Sequence, residues 1–243
     1  MSRRVLLDAG NSSVKWVCIE RERWEAQGRC NYDDLTALHR QLTPETACFV
    51  ASVAHPRDVG RVRALLQEAG CSMTWLTAET CWGDLTNGYT VPRQLGVDRW
   101  MGLIAARART REAVLVVSAG TAMTVDALAP KGEFLGGVIV PGLSLMQQAF
   151  AEGVAGVTPE SGAWQAFPRC TADAVHSGIV AALCGAIRMQ HVQLAAAVNA
   201  APRCLITGGD AACLLPHLGL IAEHVPALVL EGIDQIARGE GKR

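Results

Sequence analysis

The sequence predicts an α/β protein made of two similar halves that face each other across a cleft. Three observations predict it. Half of the 243 residues are apolar, enough to bury one large core or two small ones. The order strand, strand, strand, helix, strand, helix, strand runs through the chain twice. The opening stretch "LLDAGNSSVKW" (6–16) also has a counterpart in "VVSAGTAMTVD" (116–126), pairing Asp8 with Ser118, Gly10 with Gly120 and Asn11 with Thr121 at an offset of 110 positions. Likeness at half the chain length suggests a duplicated unit, and the halves divide at 1–110 and 111–243.

The elements follow from local pattern. After the opening strand, "SVKWVCIER" and "RWEAQGR" read as two strands joined by a tight turn between Ile19 and Arg23. Tyr32 to Leu42 has helical spacing, with Leu35, Leu38 and Leu42 on one face and Asn31 as cap. "ACFVASV" is a buried strand, Pro56 opens a helix through Leu65, Leu66 and Ala69, and "SMTWL" is the next strand. Asn87-Gly88 and Pro92 keep the following stretch irregular. From Asp98 a helix turns Trp100, Leu103, Ile104 and Ala108 inward. The second half brings strands at "AVLVVSAG", "AMTVDALA" and "EFLGGVIVPG", then helices, the strand "CLIT", a helix after Asp210 and a last strand near His224. Residues 151–170, with two prolines and four small-residue turns, read as a mobile loop.

Composition narrows the function classes. Lysine and arginine number 22 against 23 aspartates and glutamates, which leaves no field to recruit nucleic acid or a lipid surface by charge. No run approaches the roughly 20 apolar residues of a membrane span, and the start of the chain lacks a signal h-region, so a cytoplasmic protein is expected. Nine scattered cysteines without a CxxC pair point to buried inert thiols, and six dispersed histidines form no metal-binding cluster.

The interruption of the first strand by Gly10 is the first sign of chemistry. A hairpin with glycine and small polar residues at its tip exposes consecutive backbone N–H groups, a nest that binds anions. Asn11, Ser12 and Ser13 add donors, and Lys15 adds a point charge suited to a phosphate tail. Asp8 aims into the same space, where a carboxylate beside phosphates needs a divalent cation between them, which implies Mg²⁺. Asp-x-Gly-Asn is also a good turn by itself; two such hairpins, one per half, favour a phosphate clamp. Asp98 in "LGVDRW" sits at a helix start, where aspartate is a favoured cap or first-turn residue for dipole reasons, so position alone favours that role over a catalytic one.

Taken together, "DAGNSSVK", "NGY" followed by "LGVDRW", "AGTAMTVD", "GGVIVPG", "CTADAVHSG" and "ITGGDA" resemble, in order and spacing, the motifs of type III pantothenate kinases. The resemblance runs from residue 8 to residue 211. It implies two ribonuclease-H-like domains of the acetate and sugar kinase, heat-shock chaperone and actin superfamily, with the cleft between them. It further implies transfer of the ATP γ-phosphoryl group to pantothenate, the first step toward coenzyme A, in a homodimer with pantothenate near the subunit interface. By the same resemblance Asp8, Ala9, Gly10, Asn11, Ser12, Ser13, Val14 and Lys15 form the first phosphate loop and Thr121 belongs to the second. Asp98 is the general base. Gly96, Val97, Asp98 and Arg99 hold pantothenate together with Tyr89 and Thr171, and Gly208 and Gly209 lie near the adenosine.

One position departs from the family. Ser118 stands where relatives carry an aspartate that helps bind a monovalent cation, K⁺ or NH₄⁺. A hydroxyl supplies no charge, so little dependence on potassium is expected. Two other readings remain at this point: a non-catalytic nucleotide-binding regulatory protein on the same fold, and a kinase or phosphatase for another small substrate.

Overall fold

The computed structural model describes residues 3–154 and 162–239. The chain divides into two compact units, Met1–Arg109 with Ala227–Arg243, and Thr110–Pro226. The second unit thus ends at Pro226, where the sequence reading carried it to residue 243.

The first unit opens with β1 (Arg4–Ala9), β2 (Val14–Glu20) and β3 (Arg23–Cys30), an antiparallel meander. Arg21 and Glu22 both have positive φ, 48° and 63°, the backbone of a two-residue hairpin turn whose twist matches the strands. A bulge between Cys18 and Ile19 shifts the β2–β3 register by one residue. The expected helix over Tyr32 to Leu42 shrinks to α1 (Thr36–His39), and Asn31 does not cap it. Asn31 instead bridges to Asp34, whose carboxylate takes the Thr36 N–H at 3.0 Å, so the chain turns before a helix can start. β4 (Ala47–Ser52), α2 (Pro56–Glu68) and β5 (Ser72–Trp75) follow, with Pro56 at the helix start as expected. The sheet order is β3-β2-β1-β4-β5, with β4 and β5 parallel to β1. A small hairpin of β6 (Cys81–Trp82) and β7 (Leu85–Asn87) and a 3₁₀ turn at Pro92–Gln94 lead into α3 (Val97–Arg109).

In the second unit β8 (Val114–Ala119), β9 (Ala122–Leu128) and β10 (Glu133–Pro141) repeat the meander. Next come α4 (Leu143–Gly153), α5 (Thr171–Val198), β11 (Arg203–Thr207), α6 (Ala211–Leu214) and β12 (Glu223–His224). The order β12-β11-β8-β9-β10, with β11 and β12 parallel to β8, reproduces the first sheet strand for strand. α5 is long and apolar enough to cross a membrane by composition, contrary to the sequence expectation. Its Ile179, Val180, Leu183, Cys184 and Ile187 nevertheless line the core of the second unit against β8 and β9, which is the position of a core helix. The expected mobile loop at 151–170 is divided. Residues 151–153 continue α4, and 155–161 lie outside the described residues. Residues 162–165 are tied to α5, with the Ala163 N–H on Asp173 Oδ1 (2.8 Å) and the Gln165 N–H on Ser177 Oγ (2.9 Å), and Trp164 stacks on His217 in the 3₁₀ turn Leu215–His217.

The first core cluster packs α1 and α2 on one face of the first sheet around Val5, Leu7, Trp16, Val50 and Leu66. α3 and α7 (Leu228–Ala237) contact β4, and α7 also contacts β1. α3 is buried nearly all round, so Trp100, Leu103 and Ile104 are enclosed as expected, while Ala108 is exposed because the helix end emerges there. Arg107 is buried inside it and forms a two-pronged pair with Asp84 at 2.6 and 3.1 Å. α7 joins the first unit because its apolar side seats on α3: a Cβ on Gly232 would stand 1.9 Å from the Met101 carbonyl oxygen. Arg109 and Glu231 clasp the same pair of helices at 2.7 and 2.8 Å. Gly232→Ala should therefore destabilise the fold by about 1–3 kcal/mol, the range for overpacking, whereas Glu231→Gln, at a solvent-screened pair, should cost under about 1 kcal/mol. Urea denaturation of both variants reads the difference, and equal losses would contradict the steric account.

Candidate functional site

Asp8, Lys15 and Arg29 lie on β1, β2 and β3 near the hairpin tip, and Asp98 and Arg99 lie at the head of α3. β1 stops at Ala9 and β2 starts at Val14, so Gly10–Ser13 is the tip of a hairpin. The Gly10 N–H donates to the Ser13 carbonyl (3.1 Å), the Tyr32 hydroxyl donates to the Gly10 carbonyl, and Arg29 Nε donates to Ser13 Oγ (2.7 Å). Asn11 and Ser12 are exposed at the tip, while Ser13 and Val14 are buried. Burial, with the charges of Asp58 and Asp8, pushes the Tyr32 phenol up to about 12, so it stays a donor.

Strand register supplies the next layer. Lys15 lies opposite Asp8, and Arg29 lies opposite Lys15. Directly opposed residues project from one face, so Asp8, Lys15 and Arg29 form a row across three strands on the face away from the core cluster. Loss of hydration pushes the Asp8 carboxyl up from its ordinary 3.8 to about 6, with Lys15 opposing the shift and Asp98 adding to it. The two aspartates therefore share an electrostatic environment. Asp98 occupies the first turn of α3, where burial raises its pKa; the Arg99 N–H, 2.8 Å from its Oδ1, and the Arg99 charge pull it back. Gly96 leaves that carboxylate its place, since a Cβ there would stand 2.6 Å from Asp98 Oδ1.

Arg99, itself buried, donates from Nη1 to the Tyr89 hydroxyl (2.8 Å), with its guanidinium carbon 5.6 Å from the ring centre. Tyr89 is held by its N–H on Asn87 Oδ1 (3.0 Å), and Asn87 Nδ2 donates to the Glu79 and Pro92 carbonyls (3.1 and 3.2 Å). Val97 is buried behind them. Tyr89, Gly96, Val97, Asp98 and Arg99 thus form one wall built on a pinned loop and a helix start.

The second unit has its own hairpin tip at Gly120–Thr121, with Thr121 exposed. Two glycine motifs close on its backbone. Gly142 donates to the Thr121 carbonyl (2.9 Å), and a Cβ on it would stand 2.0 Å from the Gly120 oxygen. Gly208, at φ +102°, lies against the Ala119 carbonyl, which also receives the Asp210 N–H at 3.0 Å. Ser118 faces Thr124 and Thr207 across its two neighbouring strands, and the buried Thr124 Oγ1 has no hydrogen-bond partner. Thr171 is exposed at the start of α5, at the edge of a cavity of about 780 Å³ lined by Met146, Phe150, Arg169 and Ile179. Sequence reasoning did not single out Arg29 or Tyr32, which hold the two ends of the first loop.

A family model described as type III pantothenate kinase matches residues 4–193. A type III pantothenate kinase of Thiobacillus denitrificans is 60% identical over 98% of both chains, and one of Chromobacterium violaceum is 41% identical over 96% of this chain and 99% of its own. The chain belongs to the type III pantothenate kinase family. Among solved structures, a putative Baf family transcriptional activator from Campylobacter jejuni (TM-score 0.62, 20% identity, 97% and 98% of the two chains) shares the fold. So does MreB 5 of Spiroplasma citri bound to AMPPNP (TM-score 0.52, 8% identity, 98% and 97%). The two-sheet architecture of this pantothenate kinase is thus the fold these two structures share, and family membership makes it an ATP-dependent transferase.

The raised pKa of Asp8 gives the kinase a pH signature. Between about pH 4 and 6 the folded protein keeps a proton that the unfolded chain has released, so stability falls as pH rises through that window. Asp8→Asn has no charge to bury. It should match the parent at pH 4 and exceed it in urea resistance at pH 7.5; a constant difference at both pH values would contradict the burial argument.

Proposed function

We propose that the protein transfers the γ-phosphoryl group of ATP to the primary hydroxyl of pantothenate, giving 4′-phosphopantothenate, with Asp98 as general base. The observation that carries this reading is the placement of Asp98, on the α3 first turn, within electrostatic reach of Asp8 and hence of the Asp8–Lys15 row beside the Gly10–Ser13 loop. A base must sit where the acceptor alcohol meets the terminal phosphate, and a phosphate loop beside a buried carboxylate meets that need.

In this reading the loop amides and the Ser12 and Ser13 hydroxyls receive phosphate oxygens and Lys15 offsets their charge. The wall of Tyr89, Gly96, Val97 and Arg99 holds pantothenate, with the buried guanidinium suited to its carboxylate. Phosphoryl transfer through a loose transition state asks chiefly for alignment and charge neutralisation. Asp98 orients the alcohol by accepting its hydrogen bond and takes the proton late, a task helped by a pKa raised toward neutrality. Thr121 and Thr171 receive their phosphate and pantothenate roles from the family resemblance.

Magnesium fits Asp8. Its oxygens are hard donors, and a carboxylate that burial and Asp98 have driven toward protonation gains from a nearby cation. When bound, the ion would neutralise charge on the nucleotide oxygens. The Ser118 position suits a monovalent cation less well, because the hydroxyls of Ser118, Thr124 and Thr207 bring no charge. Free thiols at all nine cysteines favour the cytoplasm. A homodimer is favoured by the exposed Leu135, Ile139, Met189 and Val192 of the second unit. Within "IVAALCGAIRM", by contrast, Ile179, Val180, Leu183, Cys184 and Ile187 are spent on the unit's own core.

Purified protein given ATP, Mg²⁺ and pantothenate should yield 4′-phosphopantothenate by mass spectrometry; its absence would remove the proposed activity. Asp98→Asn should lower kcat by about 10²-fold or more while leaving the far-UV spectrum unchanged, and full turnover would exclude Asp98 as base. Replacing potassium and ammonium by sodium should change the rate less than about twofold, given that a neutral hydroxyl adds no Coulomb attraction; a collapse of the rate would restore the cation site.

A further inference from the structure

We infer that Arg29, on β3, is a phosphate-binding residue beside the first loop, donating to the nucleotide tail while holding the Ser13 hydroxyl ready to do the same. The inference rests on the proposed use of ATP.

Three features lead to it. The register puts Arg29 directly beside Lys15 and two strands from Asp8, on the face that also meets Asp98. Its Nε donates to Ser13 Oγ at 2.7 Å, so the guanidinium is anchored on the loop itself, although no carboxylate pairs with it in the ion pairs of the described residues. With Ser13 Oγ accepting from Arg29, the Ser13 hydroxyl proton remains for another acceptor. Arg29 is otherwise exposed, which leaves its terminal nitrogens directed away from the core.

Charge balance supplies the reason. The carboxylates of Asp8 and Asp98 act on each other here, and an ATP tail adds several negative charges. Lys15 is the cation opposite Asp8, and Arg99 is buried against Tyr89. Arg29 provides a second, planar cation whose remaining N–H groups suit phosphate oxygens. Its effect should scale with the number of phosphates on the ligand and vanish for adenosine.

The test compares the parent, Arg29→Ala and Arg29→Lys by calorimetric titration with MgATP, MgADP and adenosine, alongside steady-state kinetics. Arg29→Ala should weaken MgATP about tenfold, a loss of one charge-assisted contact. MgADP should suffer less and adenosine not at all, with KM for pantothenate within twofold of the parent. Arg29→Lys should recover part of the MgATP affinity, since it restores charge without the fork. Unchanged MgATP affinity in Arg29→Ala, or equal losses for MgATP and adenosine, overturns the inference and leaves the kinase reading intact. A parent protein that binds no MgATP and makes no 4′-phosphopantothenate overturns the kinase reading and this inference with it.

Discussion

Asp8 sits at the end of a strand with neighbours on both sides, where water reaches its carboxyl poorly, and a second carboxylate at the head of α3 makes ionisation harder still. A fold free to optimise its own stability would place asparagine or serine there. Keeping an acid that is pushed toward protonation means that the native state bears a free-energy cost whenever the site is ionised. Such an arrangement makes sense when cations arrive from outside, and it sets the demands on everything around it. The Lys15 row offsets part of the charge, the α3 helix start delivers Asp98 at a defined spot, and Tyr32 and Arg29 keep the intervening loop from relaxing over the pair.

The same constraint explains the attention given to α3. A base on a short helix at a loose surface would wander by more than catalysis tolerates. Here the helix is enclosed on nearly every side, and α7 returns from the end of the chain to press on the Met101 carbonyl, one turn beyond Asp98. The pair of buried Arg107 with the exposed Asp84 fixes the far part of the helix, and the Asn87 bonds fix the loop before it. Placement of one carboxylate thus draws on residues from positions 79 to 232, which is why the last helix belongs with the first unit.

Much of this was legible from the chain. The twin hairpins, the meander repeated in both halves and the start of α3 follow from alternation, turn residues and the 110-residue offset, because each is a local pattern with a local cause. Arg29 was hidden by a single residue. Counting outward from the Arg21–Glu22 turn pairs Glu20 with Arg23 and would set Gly28 opposite Lys15; the bulge at Cys18/Ile19 moves the partner to Arg29 and turns that side chain to the charged face. α1 was overestimated because Leu35, Leu38 and Leu42 imitate a helical stripe, whereas the Asp34 side chain, by bonding the Thr36 N–H, holds the chain in a turn up to the residue where α1 begins. The clamp from Tyr32 to Gly10 spans 22 positions and leaves no periodic trace.

The glycines of the two hairpin tips differ in kind from those at close backbone contacts elsewhere in the fold. Gly142, Gly208 and Gly232 could not carry a side chain without striking backbone at 2.0, 2.1 and 1.9 Å, so the fold itself requires them. Gly10 and Gly120 meet no such demand: the nearest atom to a Cβ would be a carbonyl oxygen at 3.7 or 3.6 Å, an ordinary contact, and neither has a positive φ. Gly10 and Gly120 thus carry a conformational entropy cost in the unfolded chain that neither the packing nor the backbone geometry around them offsets. A tip without a Cβ leaves its backbone amides open to the solvent side, where such amides select an anion, and this is the use that the proposed phosphate clamp makes of both loops.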